Sequence, residues 1–267
     1  MTPTPLAFED EGSGTALLLI HGFPHDRRLW IPQLSALSSS MRVIVPDLRG
    51  FGVSPAATTT VTMDEHADDL KLLLQRRGIR QAVVAGLSMG GYVALAFMAR
   101  YPAMVHGLVL CNTRATPDGA EERERREATA RKVLEHGVAE LAEAMLPKML
   151  TPGTLSTRPE LASTIRGMMA GQPTAGVVSG LRGMAKRPDR TPMLPDIAVP
   201  TLIISGSKDE AVAPAESEAM ARAIPGSKLT VFPDVAHLSN VEAPEAFNAL
   251  LRDFVVSTVP RMAAAAD

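Results

Sequence analysis

Gly86-Leu87-Ser88-Met89-Gly90 follows directly on the apolar run Ala82-Val83-Val84-Ala85 and leads into Tyr92-Val93-Ala94-Leu95-Ala96-Phe97-Met98. A serine held between glycines at a strand-to-helix junction implies a turn so tight that its own backbone is strained. The glycines two positions either side let strand and helix pack closely. The hydroxyl then stands clear of the strand end, and the new helix aims free N–H groups and its positive dipole end at it. That is the setting of a nucleophile, and the strand before and helix after make the pattern far more specific than the bare glycine–serine–glycine spacing.

Short apolar runs of the same kind recur at Ala16-Leu17-Leu18-Leu19-Ile20, Val43-Ile44-Val45, Leu108-Val109-Leu110, Thr201-Leu202-Ile203-Ile204 and Leu229-Thr230-Val231-Phe232, each closed by turn residues. Runs without polar alternation are strands buried on both faces, as in a parallel sheet flanked by helices. Helical patterns lie between several of them: Asp64 to Arg76 carries Leu70, Leu73 and Leu74 on one face, and Glu216 to Ile224 bridges the last two strands. This alternation predicts an α/β fold with a mostly parallel, doubly wound sheet and right-handed crossovers.

The alternation breaks over residues 114–190. Glu121 to Glu127 opens a charged helix whose charges read as a solvated face, and shorter helical pieces follow, punctuated by Pro147, Pro152, Pro159 and Pro173. The region is expected to be a helical cap over the strand ends, inserted into a core made of residues 1–113 and 191–262, with residues 263–267 a frayed tail. The cap contains no Phe, Tyr or Trp, but holds Met145, Met149, Met168, Met169 and Met184. Thioether side chains fill a core readily, and they also suit a lid that adapts to varied apolar ligands.

At 267 residues the chain has room for one large α/β domain with an insertion. A net charge of −2 argues against nucleic acid or an anionic membrane as the main partner. The single cysteine, Cys111, lies in an apolar run and reads as a buried core thiol, so no disulfide within the chain is possible. Residues 1–14 are acidic and interrupted by Pro3 and Pro5, unlike a secretory signal, and no apolar run approaches the ~20 residues that span a bilayer. These features suggest a cytoplasmic protein, monomer or homodimer, acting on a small molecule. No cluster has metal-ligand spacing, and neither metal nor cofactor is expected.

A serine hydroxyl needs an adjacent base, held by a third group. In an open α/β sheet, reacting groups gather outside the carboxyl ends of the strands. His237 lies there, on the loop after the last strand, and is the leading base; His66, His106 and His136 read as surface or structural, and His21 falls on the oxyanion side. Asp209, in Gly206-Ser207-Lys208-Asp209, is the leading orienting carboxylate, with Glu210, Asp234 and Asp118 as rivals. The backbone N–H of Met89 and of Phe23 are the expected oxyanion donors; Pro24 has none to give. His21, Gly22, Trp30, Met145 and Met149 are the candidate substrate contacts. Asp47 and Arg49, in Asp47-Leu48-Arg49-Gly50-Phe51-Gly52-Val53-Ser54, read as fastenings of a loop beside the site.

Taken together, His21-Gly22-Phe23-Pro24, the Asp47–Ser54 stretch, Gly86 to Gly91, Gly206-x-x-Asp209 and Ala236-His237 resemble the α/β-hydrolase superfamily over most of the chain. The order Ser88, Asp209, His237 is that of its catalytic triad. Asp26-Arg27-Arg28-Leu29-Trp30 and Ala236 to Glu242 resemble the 3-oxoadipate enol-lactonase branch. The Phe-Pro after His21-Gly22 and the Ser-Met-Gly-Gly turn also resemble the cofactor-free haloperoxidase and arylesterase branch. Epoxide hydrolases and haloalkane dehalogenases are similar elsewhere but carry aspartate where this chain has Ser88. Members commonly begin with an antiparallel hairpin; only Leu6 to Glu11 is available here, so its first strand is expected to be missing. The resemblance implies a serine hydrolase of small carboxylic esters or lactones. The same triad would also serve a perhydrolase, an acyltransferase or a ligand receptor on the same scaffold.

Overall fold

Every residue of the run Ala16–Ile20 is buried, yet its side chains divide between two cores, with Leu18 and Ile20 on one side and Leu17 and Leu19 on the other. That is a strand covered on both faces, because successive side chains of a strand point opposite ways. A computed structural model describes residues 2–57 and 59–258. Among these, seven strands form one sheet: β1 (Phe8–Glu11), β2 (Ala16–Ile20), β3 (Arg42–Pro46), β4 (Ala82–Leu87), β5 (Val105–Cys111), β6 (Thr201–Gly206) and β7 (Lys228–Phe232). The order is β1-β3-β2-β4-β5-β6-β7, parallel throughout except that β1 runs antiparallel to β3. Among the described residues β1 is the one strand ahead of Gly12.

Helices α1 (Ile31–Leu37), α2 (Met63–Arg76) and α3 (Met89–Arg100) alternate with the first strands. A capping box starts α2, with Thr62 Oγ1 accepting from Glu65 N–H and the Glu65 carboxylate accepting from Thr62 N–H. Residues 114–190 form α4 (Ala120–His136), α5 (Val138–Met149), α6 (Pro152–Thr157), α7 (Pro159–Ala170) and α8 (Thr174–Ala185), and α9 (Pro214–Ala223), α10 (Ser239–Glu242) and α11 (Pro244–Thr258) complete the chain. The tail expected at 263–267 lies outside the described residues. Pro147 does not break a helix: it sits inside α5, two residues before its end. His106 lies within β5 rather than ahead of it. Among the described residues no helix is long and apolar enough to cross a membrane.

Asp118, a rival for the orienting acid, instead fastens the insertion. Its buried carboxylate accepts from Arg114 (2.8 Å) and pairs with Arg187 (2.7 Å) and Arg126, so the entry and exit of the inserted segment converge on one anion. On α4, Glu121, Arg123, Glu124 and Arg125 face solvent, while Arg126 and Glu127 turn towards Asp118 and Arg182. Helix α8 lies against the loop after β3: a side chain at Gly176 would collide with the Gly50 carbonyl, and Ser179 Oγ accepts from Val61 N–H (2.9 Å).

The sheet register lines up the carboxyl ends of the strands, with Ile20 beside Gly86, Leu87 beside Cys111, Cys111 beside Ile204, and Gly206 beside Phe232. The turn after β4 fits beneath this edge only because side chains are absent. A Cβ on Gly86 would meet the Gly90 carbonyl, and one on Gly90 would meet the Ile20 carbonyl. Both obstacles are backbone, so neither can swing aside. Gly86→Ala is therefore expected to cost more than about 3 kcal/mol, read as a fall in the urea midpoint. Gly119→Ala, where nothing lies within 4 Å of the new methyl, should change stability by less than about 1 kcal/mol.

Candidate active site

Ser88 caps α3 with φ 55° and ψ −116°, a conformation that costs an L-residue about 1–3 kcal/mol and persists only where surrounding bonds dictate it. Here they do. Its N–H donates to the Cys111 carbonyl (2.9 Å), and its carbonyl accepts from Gly91 N–H (2.9 Å) and from Thr113 Oγ1 (2.7 Å). The side chain is half-buried, at the carboxyl edge of the sheet. Gly22 lies against it; a Cβ there would stand 3.3 Å from that of Ser88. The loop after β2 thus comes up beside the serine, bringing Phe23 with it. Met89 is the first residue of α3, so its N–H has no acceptor within the helix.

Asp209 and His237 are brought together. His237 Nδ1 lies 2.9 Å from Asp209 Oδ2, both side chains being buried. Asn112 Nδ2 donates to the same oxygen (2.9 Å), and the N–H groups of Ala211 and Val212 donate to Oδ1 (2.9 Å each). Burial alone would raise the Asp209 carboxyl; the neighbouring His237 and these donors outweigh it and hold it below the ordinary carboxylate value. An ionised Asp209 assigns the imidazole proton to Nδ1 and leaves Nε2 with its lone pair, the form a base requires. The rivals are placed otherwise: Glu210 and Asp234 are exposed, and Asp118 is committed to its arginines.

Asp47 and Arg49 fasten the neighbouring loop as expected. Asp47 accepts from Arg27 N–H (2.8 Å) and Val53 N–H (2.9 Å), and Arg49 pairs with buried Asp69. Three of the expected substrate contacts belong to the packing instead. His21 is fully buried, with Nε2 accepting from Leu48 N–H (3.0 Å), Nδ1 against the Gly22 carbonyl (2.9 Å) and its ring edge-on to Phe51. Trp30 is fully buried, with its ring 6.0 Å from that of Phe247 and its Nε1 without a hydrogen-bond partner among the described residues. Met149 is packed in the core, and its carbonyl accepts from Leu238 N–H (3.1 Å). Met145 is half-buried between the two cores. Among the described residues no three His, Cys, Asp or Glu side chains converge as metal ligands.

Residues 15–244 match the alpha/beta hydrolase fold family. The chain belongs to that family. A thermophilic esterase from Thermogutta terrifontis, solved with malate bound, is 44% identical to this α/β hydrolase with a TM-score of 0.93, covering 95% of this chain and 93% of the other. The enol-lactonase from Burkholderia xenovorans LB400 is 31% identical with a TM-score of 0.88 over 94% of this chain and 96% of its own. Among curated relatives, 3-oxoadipate enol-lactonase 1 of Acinetobacter baylyi is 31% identical over 91% of this chain and 89% of its own length.

Three residues around the hydrolase's site carried no role in the sequence reading. Asn112, at φ 47°, bridges Asp209 and Ser239, whose Oγ donates to Asn112 Oδ1 (2.7 Å). Gln172 ties the insertion to the first two loops, donating to Asp26 Oδ2 (2.8 Å) and accepting from Gly52 N–H (2.9 Å). His25, just past the Phe23 turn, is fully buried with neither ring nitrogen hydrogen-bonded. His66 is in the same condition on α2, where its fully buried ring contradicts the polar surroundings its neighbours in sequence suggest. An asparagine directly after a strand was the signal open to a reader for Asn112, since asparagine tolerates positive φ; the partners of Gln172, Asp26 and Gly52, are remote in sequence.

Burial pushes both His25 and His66 down to about 3 from an ordinary 6.5. Between those values the unfolded chain binds protons that the folded chain refuses, so stability is full above about 6.5 and is lost as pH falls towards 3. His66→Leu is therefore expected to flatten the dependence of unfolding free energy on pH between 6 and 4 by about 1.4 kcal/mol per pH unit, measured by urea titration at each pH. An unchanged slope would mean that His66 takes up its proton in the folded state.

Proposed function

We propose that this α/β hydrolase cleaves a small carboxylic ester or lactone through an acyl-enzyme, with Ser88 as nucleophile, His237 as base and Asp209 as the orienting carboxylate. The observation that carries the reading is the buried Asp209–His237 pair at 2.9 Å, on the same strand edge as a serine locked at φ 55°. Attack by Ser88 Oγ on the acyl carbon passes its proton to His237 Nε2, and the carbonyl oxygen takes the negative charge. The N–H groups of Met89 and Phe23 are the donors to that oxygen, in a setting where losing one donor typically costs about 3 kcal/mol of barrier. Collapse breaks the bond to the leaving alkoxide, which takes the proton from His237. Water, deprotonated by the same imidazole, then releases the acid and returns Ser88. In a lactone the leaving alkoxide stays attached to the acyl group, and the acyl-enzyme is a hydroxyacyl ester.

The esterase and enol-lactonase similarity supports ester or lactone as the bond broken. Nothing in the triad's chemistry separates the two, because both present the same carbonyl to Ser88. Gly22 and Met145 are the remaining positions offered for substrate contact, Gly22 because its backbone abuts Ser88 and Met145 because it is half-buried between the cores.

Initial rates on p-nitrophenyl esters from acetate to decanoate, with γ-butyrolactone alongside, test the reading. Steady turnover is expected, with an optimum at short acyl chains. Ser88→Ala and His237→Ala should each lower kcat by at least about a thousandfold while the protein stays folded. A burst without steady turnover would point to a ligand receptor on the hydrolase scaffold. Retention of a tenth of the activity by Ser88→Ala would exclude the serine mechanism.

A further inference from the structure

The two residues that flank His237 in the chain are both tethered to the inserted helices. On the carboxyl side, Leu238 N–H donates to the Met149 carbonyl at the end of α5 (3.1 Å). On the amino side, Ala236 N–H donates to Glu242 Oε2 (2.6 Å). The other oxygen of that carboxylate, Oε1, accepts from both the N–H (2.8 Å) and the hydroxyl (2.9 Å) of Thr151, in the turn between α5 and α6. Arg158, between α6 and α7, donates to the carbonyls of Val241 and Glu242 (3.1 Å each) and holds the α10 segment in place. The sheet side of the same loop is held separately: Asn112 Nδ2 donates to the Ala236 carbonyl (3.3 Å), and a side chain on Gly206 would collide with it.

Glu242, 91 residues from Thr151 in the chain, therefore joins Thr151 of the insertion to the backbone of the base loop. Its three donors occupy both oxygens of the carboxylate, three of about four acceptor sites, and hydrogen bonds to an ionised acceptor are about twice as strong as neutral ones. The half-buried position keeps water from replacing them at no cost. A base has to deliver its lone pair to within hydrogen-bonding reach of the serine, and a misplacement on the order of 1 Å costs about a hundredfold in rate. A clamp on each neighbour of the base is the arrangement that controls such an error.

We propose that Glu242 is a positioning residue for His237, through which the α5–α6 turn of the insertion sets where the catalytic base stands; the proposal rests on the reading of His237 as the base. The insertion that covers the site thus also adjusts its chemistry. A substrate that displaces α5 moves the Met149 carbonyl and Thr151 together, and both arms of the clamp lead to His237.

The test compares Thr151→Ala, Thr151→Ser, Glu242→Gln and His237→Ala on p-nitrophenyl butyrate, with Tm recorded for each. Thr151→Ala removes the hydroxyl donor, keeps the N–H donor and leaves the Glu242 charge in place, so it separates position from charge. Glu242→Gln keeps one acceptor oxygen and sets an amide N–H against either Ala236 or Thr151. Expected are falls in kcat of about threefold for Thr151→Ala and about tenfold for Glu242→Gln, with KM within about twofold of wild type. Thr151→Ser, which keeps both donors, should restore wild-type kcat. Wild-type kcat in both Thr151→Ala and Glu242→Gln, whatever their Tm, overturns the proposal, as does a rise in KM alone; Thr151→Ala decides it if Glu242→Gln does not fold. His237→Ala tells the two failures apart. Activity surviving in it refutes the base itself, whereas its loss beside intact Thr151→Ala and Glu242→Gln refutes only the positioning.

Discussion

The backbone of Gly86 passes so close to the carbonyl of Gly90 that no side chain fits between strand and helix. Everything else at the site follows from that contact. It forces the chain to reverse within a residue, and Ser88 absorbs the reversal at φ 55°. The strain is tolerable because Cys111, Gly91 and Thr113 hold the serine's own peptide groups from the neighbouring strand and from the helix. A residue held in this way needs no reorganisation to present its hydroxyl, and the first free N–H of α3 arrives beside it as a consequence of the same turn.

The parallel register then distributes the remaining groups. With Leu87 beside Cys111 and Cys111 beside Ile204, the loops after β4, β5, β6 and β7 open on one edge. Asn112 follows one of these strands, Asp209 the next and His237 the last. Asn112 is the piece that joins them, since it donates to the Asp209 carboxylate and to the Ala236 carbonyl while receiving Ser239. The inserted segment is tied to the core, its two ends drawn together at Asp118 and its α7–α8 turn bound to the first loops through Gln172.

The strands and the serine turn were legible because they depend on local facts: an uninterrupted apolar run, a glycine that cannot be replaced, a polar residue at a strand end. Asp209 and His237 were legible for the same reason, since each follows a strand by a few residues. What the sequence could not show were relations between distant segments. Trp30 and His21 look like ligand contacts beside a nucleophile loop, yet Phe247 covers one and Leu48 engages the other from far along the chain. Methionines in an aromatic-free insertion suit either a packed core or a pliable lid, and Met149, Met168, Met169 and Met184 are all packed in the core. Pro147 sits inside α5 at the loss of one helical bond, since it has no N–H to donate to the carbonyl four residues back.

The central claim is that the residue held in the strained turn is the nucleophile, made reactive by the buried pair at its side. The most direct measurement is covalent capture: the folded protein is incubated with an organophosphonate, digested, and its peptides weighed by mass spectrometry. The account predicts a single stoichiometric adduct on the peptide carrying Ser88, formed in step with the loss of esterase activity. A folded protein that loses activity with Ser88 unmodified, or that carries the adduct on another residue, would contradict it.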